Sequence, residues 1–329
     1  MFAKIEGIKI TAVAGCISKN QKSLYEHTEG LLSEAEIKRF NKKTGFQKLS
    51  ITDENTTALD LCYKAADNLL KKINVDKNEI DAVIFVTTSP DYQLPNNSSI
   101  MQAKLGLSNN VIAFDINQGC PGFVQGLYTA SSLIAGGGVN KVLLCVGDTR
   151  SKNTQVNDTA TRVLFGDGGT ATLIEKGTLS LYFMNETYGE LFDKLIIEKS
   201  VSYDKNIIKM DGGAVANFVL DNVVPALKRM SEYYQFEIKD LGNIFIHQAN
   251  KIFNKTISTL LSIPENKIPF LANEIGNTSN TSIALMLSDI NKQDYDLDNV
   301  CLCAFGSGLS LAIVITDLSE TEFLGIDSI

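Results

Sequence analysis

Apolar and polar positions along the chain fall into two alternating patterns. Ile8–Ile17 (IKITAVAGCI), Asp81–Thr88 (DAVIFVTT), Val111–Ile116, Lys141–Gly147 (KVLLCVG), Thr170–Glu175 and Asn299–Phe305 (NVCLCAF) are short, nearly unbroken apolar runs. Such runs predict strands buried on both faces. Between them apolar residues recur three and four apart. Thr57–Ile73 places Leu61, Ala65 and Leu69 on one face and ends in Lys71-Lys72, which suits the negative end of a helix dipole. Ser33 with Glu36 is a capping-box pattern opening a helix over Ser33–Phe40. Further helices are expected near Ser99–Leu105, Phe123–Ile134, Ala214–Tyr234 (with a kink at Pro225) and Ile283–Leu287. Alternating elements of this kind define an α/β layered protein.

The second half repeats the first. Phe236–His247 (FEIKDLGNIFIH) follows the pattern of Val75–Val86 (VDKNEIDAVIFV), and Asn299–Phe305 follows Asn140–Val146. The long helix Ala214–Tyr234 takes the place of Thr57–Ile73. Each offset is about 160 residues, so a duplicated α/β unit is expected, divided into residues 1–176 and 177–329.

Composition narrows the class. The 329 residues are 44% hydrophobic and 21% charged, an ordinary globular balance. A net charge of -8 argues against nucleic acid as the main partner. No apolar run approaches the roughly 20 residues of a membrane span, and the start of the chain has no signal-peptide core. Six cysteines scattered through apolar runs do not form a disulfide framework, so a reducing, cytoplasmic setting is expected. The two histidines, His27 and His247, sit near no cysteine pair, so no metal site is expected. His27, between Glu26 and Glu29, reads as a solvated surface residue.

Three turns carry candidate chemistry. Gly119-Cys120-Pro121-Gly122 joins a strand to an apolar helix. Pro121 fits the first helical turn, and the free N–H groups there favour a Cys120 thiolate, the nucleophilic form. His247 leaves a buried strand in Ile246-His247-Gln248-Ala249-Asn250. Asn277, in Gly276-Asn277-Thr278-Ser279, precedes an apolar helix. Nucleophile, imidazole and neutral amide then come from three separated segments, as expected of a site at strand ends. Phe165-Gly166-Asp167-Gly168-Gly169 lacks the Lys-Ser/Thr of a phosphate loop and precedes a strand, so it reads as structural.

The motifs GCPGF, HQAN, GNTS, FGDGG and FGSG, in this order, resemble the ketoacyl-ACP synthase III branch of the thiolase-fold condensing enzymes. The resemblance covers nearly the whole chain. It implies a thiolase fold in α-β-α-β-α layers, a homodimer, and a buried site of Cys120, His247 and Asn277 reached by a tunnel. It implies no tightly bound cofactor; acyl-CoA or acyl-ACP and malonyl-ACP are the substrates, and acyl carrier protein is the partner. The backbone N–H groups of Cys120 and Ser307 would form the oxyanion hole, and Leu94 would close the partner subunit's acyl pocket. The chain departs from the family in places. It has no tryptophan, and the Trp and Arg that clasp the CoA adenine fall near Arg39 and at Thr159, with Arg162 displaced by three. Asn217 and Ile252 stand where carrier-docking basic residues are expected, with Lys251 and Lys255 nearby. These departures point to a specialised paralogue and leave the acyl donor open between CoA and carrier protein. Three other readings remain: an acyltransferase without decarboxylation that passes the acyl group to a sugar or amine, a non-catalytic partner subunit, and a cysteine hydrolase.

Overall fold

The computed structural model describes residues 1–199 and 206–329. The first half opens with β1 (Phe2–Ile17) and a small lobe of β2 (Gln21–Ser23), α1 (Leu24–His27), α2 (Glu34–Thr44) and β3 (Lys48–Ser50). It continues through α3 (Ala58–Lys72), β4 (Ala82–Val86), α4 (Asn97–Leu105), β5 (Ile112–Ile116), α5 (Gly122–Ala135), β6 (Lys141–Thr149), α6 (Thr159–Arg162) and β7 (Asp167–Thr187). The second half holds β8 (Leu195–Lys199), β9 (Asn206–Met210), α7 (Gly212–Tyr234), β10 (Ile244–Ile246), α8 (Lys251–Leu261), α9 (Ser282–Ser288), β11 (Val300–Gly306), β12 (Ser310–Thr316) and β13 (Glu322–Ser328).

The local signals explain the element ends. The Ser33/Glu36 capping box forms, and α2 stops at Gly45, whose left-handed φ of 84° suits only a residue without Cβ. Thr57 and Asp60 form a second capping box at the start of α3.

Strand pairing displays the duplication. In the first unit β4 runs parallel to β6, β6 antiparallel to β7, and β7 antiparallel to β1. In the second, β10 is parallel to β11, β11 antiparallel to β12, and β12 antiparallel to β7. The strand β7 serves both units. Its Asp167–Glu175 part lies on β6 and its Tyr182–Thr187 part lies on β12. The boundary expected between 176 and 177 falls inside it, where the register against β1 shifts.

The layers follow from which helices are apolar all round. Helix α5 packs on β4 and β6 of one unit and on β11 and β12 of the other, and every residue of α9 is buried. Such helices belong in the middle of a core. Helix α3 bears only one apolar face, through Leu61, Ala65 and Leu69, and covers the outside of the first sheet. Helix α7 covers the outside of the second through Val219, Val223, Leu227 and Met230. The result is the α-β-α-β-α thiolase arrangement.

The long helix expected over Ala214–Tyr234 is α7, with Pro225 inside it. Two expectations about burial need correction. The run Val111–Ile116 was expected to be buried, but β5 is only half-buried, with Ile112 47% exposed, because it ends the sheet beside β4 alone. His27 is buried, not solvated: α1 packs into a small core with Leu24, Phe46 and Leu49, and burial, with the Arg162 charge adding to it, pushes its pKa down to about 4.

Candidate active site

Cys120 ends the turn between β5 and α5 and is 8% exposed. Two glycines let other backbone close on it. A Cβ on Gly306 would sit 2.7 Å from the Cys120 sulfur, and the φ of +149° there is one that side chains rarely adopt. A Cβ on Gly119 would collide with the Ser307 side chain. The Ser307 N–H is thereby brought to the sulfur as a hydrogen-bond donor.

The thiolate expected from the helix start is not favoured here. Burial pushes the Cys120 thiol up, and it outweighs the Ser307 N–H and the Arg150 charge, which pull it down. The physical reason is enclosure: α5 begins only at Gly122, after Pro121, while the sulfur is cut off from water.

His247 follows β10 directly, and its N–H donates to the Cys303 carbonyl at 2.9 Å. The ring is 2% exposed and lies edge-on to Phe305, with centroids 5.5 Å apart. Burial pushes its pKa down to about 3, so the imidazole is neutral at pH 7. Nδ1 lies 2.6 Å from the Ser282 hydroxyl, which also accepts the Gln248 N–H at 3.3 Å. Among the described residues Nδ1 is the only acceptor for the Ser282 proton. A buried hydroxyl that donates to Nδ1 leaves the ring proton on Nε2.

Asn277 is fixed at both ends. Its N–H donates to the Leu164 carbonyl at 2.8 Å and its carbonyl accepts from Gly166 N–H at 3.0 Å. The Phe165–Gly169 turn thus buckles onto the Asn277 loop, the structural role expected of it. Asp167 of that turn is buried and accepts from the N–H and hydroxyl of both Thr52 and Ser151. The Asn277 Oδ1 accepts from the Ser279 N–H at 2.9 Å. Its amide NH₂ has no acceptor among the described residues and remains available as a donor.

Cys120, His247 and Asn277 line one cavity of ≈ 90 Å³, with Phe165, Phe305 and Gly306. On its other side Cys120 borders a larger cavity of ≈ 420 Å³, which Ser307 also lines. The other candidate residues lie apart. Leu94 is 88% exposed and lines neither cavity of its own chain. Arg162 donates to the His27 carbonyl at 2.7 Å and pairs with Glu29, tying α6 to α1. Arg39 is exposed on α2, and Thr159 is the first residue of α6.

Sequence reasoning missed Ser282, Ser279 and a buried pair, Asp148–Arg150, at 2.9 Å. The last had a readable signal: an unbroken apolar strand, KVLLCVG, runs straight into Asp-Thr-Arg. Charges continuing a buried strand enter the interior with it.

Two fused α/β units that share one long strand form a fold of the thiolase type, with Cys120 and His247 following β5 and β10 and Asn277 on the loop before α9. Residues 114–188 match the family model 3-oxoacyl-[acyl-carrier-protein (ACP)] synthase III, and residues 232–318 match that family's C-terminal model. The chain is 32% identical to the beta-ketoacyl-[acyl-carrier-protein] synthase III of Clostridium tetani, across 82% of this chain and 86% of that one. It is 30% identical to the enzyme of the same name from Streptococcus agalactiae, across 97% and 100%. The crystal structure of a 3-oxoacyl-(acyl-carrier protein) synthase from Burkholderia xenovorans superposes with a TM-score of 0.93 at 29% identity, covering 100% of this chain and 99% of that one. The chain belongs to the 3-oxoacyl-ACP synthase III family and is an acyl-transferring, condensing enzyme.

Proposed function

We propose that Cys120 accepts an acyl group from a CoA or carrier-protein thioester, and that the acyl-enzyme then condenses with malonyl-ACP to give a β-ketoacyl-ACP. In the first half-reaction the sulfur attacks the thioester carbon, dividing one hard step into two. The N–H groups of Cys120 and Ser307 receive the oxyanion; a donor of this kind is worth about 3 kcal/mol. In the second, malonyl decarboxylation places negative charge on the thioester oxygen. His247 Nε2–H and the Asn277 amide donate to it, and the resulting carbanion attacks the acyl-Cys120.

The observation that carries this reading is the orientation of Asn277. The Ser279 N–H occupies its oxygen, so the group offered to the cavity is a donor that cannot ionise. Plain acyl transfer to a sugar or amine needs no such enolate donor. The neutral, depressed-pKa His247 serves the same end, since burial keeps it from becoming a bound cation.

Carrier protein docks, on this reading, beside the mouth formed by the starts of α7 and α8, where Lys251 and Lys255 are exposed. A homodimer would cover the open edge of β5, with its exposed Ile112, and the exposed Leu94. All six cysteines are free and buried, which supports a reducing cytoplasmic setting. No helix among the described residues is long and apolar enough to cross a membrane.

The test is intact-mass detection of an adduct on Cys120 after incubation with acyl thioesters, followed by malonyl-ACP and measurement of carbon dioxide and product. No adduct from any CoA or carrier thioester would overturn the reading. An adduct that other acceptors discharge, but malonyl-ACP does not, would move it to plain acyl transfer.

A further inference from the structure

The larger cavity at Cys120 has a polar wall. Thr88, Asn117, Gln118 and Arg150 face Leu195 and Ile208 across it. Arg150 is 3% exposed, and its partner Asp148 is fully buried. Ionised groups seldom stay at such depth without chemical employment, because a well-packed apolar replacement is commonly no less stable.

Asp148 does not explain the arginine by itself. Its carboxylate also accepts the Thr88 N–H at 2.8 Å and the hydroxyls of Thr87, Thr88 and Ser89. Arg150 gives one Nη1–H to Asn153 Oδ1 at 2.9 Å and its Nη2 protons to Asp148 and Thr88. A guanidinium has five N–H donors. Among the described residues the Nε–H and one Nη1–H have no acceptor, on a side chain that lines the cavity. Donors open to a cavity are desolvated when an alkyl chain fills it, and the chain offers them no acceptor. A carboxylate would satisfy them with charge-assisted bonds.

We propose that this cavity holds the acyl chain and that Arg150 selects a short acyl group ending in a carboxylate, the half-thioester of a dicarboxylic acid. The inference rests on the condensing reading above and names its primer. In the transfer the Cys120 sulfur bonds to the thioester carbon and the carbon–sulfur bond to the carrier breaks. The thiol proton leaves on the released carrier thiol. The carboxylate end takes no part in the chemistry; it fixes the chain in the larger cavity and leaves the His247–Asn277 side free for malonyl.

The experiment compares two thioesters of equal length, succinyl and 4-methylpentanoyl, which differ in carboxylate against isopropyl. Each is supplied on CoA and on carrier protein, and adduct formation on Cys120 is timed by intact mass. The expected result is faster labelling by succinyl, by about 10- to 150-fold, the worth of one charge-assisted hydrogen bond. The R150Q variant is expected to lose that preference, its succinyl rate falling to or below its own 4-methylpentanoyl rate. Equal rates, or faster labelling by 4-methylpentanoyl, in the wild-type enzyme overturn the proposal but leave the condensing reading intact. Labelling by neither, nor by any other acyl thioester, overturns the condensing reading itself. The wild-type comparison needs no variant, so the outcome stands even where R150Q fails to fold.

Discussion

Ser282→Ala removes a single buried oxygen, and its effect should fall on one half-reaction only. The hydroxyl lies 2.6 Å from His247 Nδ1. A buried neutral hydrogen bond is worth about 1 kcal/mol, which favours the Nε2–H tautomer about fivefold. Without it the ring is free to place its proton on Nδ1, away from the substrate. The bare Nδ1 then also carries a desolvation penalty. Together these amount to about 1–2 kcal/mol, or a 5- to 30-fold slower condensation. The ceiling is loss of the donor altogether, as in His247→Ala, expected to cost about 10²- to 10³-fold. The assay separates the steps: Cys120 acylation by intact mass, and carbon dioxide release from malonyl-ACP by the preformed acyl-enzyme. Acylation should stay within about twofold of wild type, since the partners of the Ser282 hydroxyl are the imidazole and the Gln248 N–H, both on the His247 side of the site. Ser282→Thr, which keeps the hydroxyl, should restore most of the condensation rate. Equal slowing of both steps, or no rescue by threonine, would falsify the tautomer argument.

Further outcomes can be checked on the same protein. Gly306→Ala should abolish Cys120 labelling with the fold retained by circular dichroism, because the new methyl meets the sulfur at 2.7 Å. His27 and His247 have folded-state pKa values of about 4 and about 3, below the usual 6.5. Their depressed values mean that the unfolded chain binds protons first, so stability is full above about pH 6.5 and falls as pH drops. Each should remove about 2 kcal/mol between pH 7 and pH 5 in urea unfolding, and His27→Gln should halve that slope; a flat profile would contradict the burial argument. Charge reversal at Lys251 and Lys255 should raise KM for malonyl-ACP several-fold with a weaker salt dependence, while malonyl-pantetheine turnover stays unchanged. Leu94→Asp with Ile112→Lys should shift the sedimentation coefficient to that of a monomer; an unchanged value would remove that edge as the dimer face.

Much of the architecture was legible because periodicity survives in the chain. The runs AVIFV and VCLCAF are strands, and the internal match of Phe236–His247 with Val75–Val86 reappears as the parallel pairs β4–β6 and β10–β11. Cys120 and His247 were readable as residues leaving strands; Asn277, read the same way, lies instead on a loop held to Phe165 by an isolated bridge. What periodicity cannot encode is which strand ends a sheet: β5 has an apolar sequence and an open edge. Nor does local sequence reveal side chains that act at a distance. Ser282 is 35 residues from His247, and Thr52 is 115 from Asp167. The Cys120 thiol was misjudged for a related reason: a helix start is local and visible, whereas enclosure by Gly306 and Ser307 comes from the far end of the chain.

The long strand β7 has a consequence for synthesis. It carries β6 of the first unit on one part and β12 of the second on the other, and the sulfur of Cys120 gains the Ser307 N–H only when β11 and β12 have closed beyond it. A growing chain exposes its cysteine long before His247, Asn277 or Ser307 has left the ribosome. Until those residues arrive, the thiol has neither an anion-stabilising donor nor a walled cavity. A formed site for thioester capture therefore requires the complete polypeptide: a prematurely released fragment carries an open thiol without the donor or the cavity that would hold a carrier-bound acyl group.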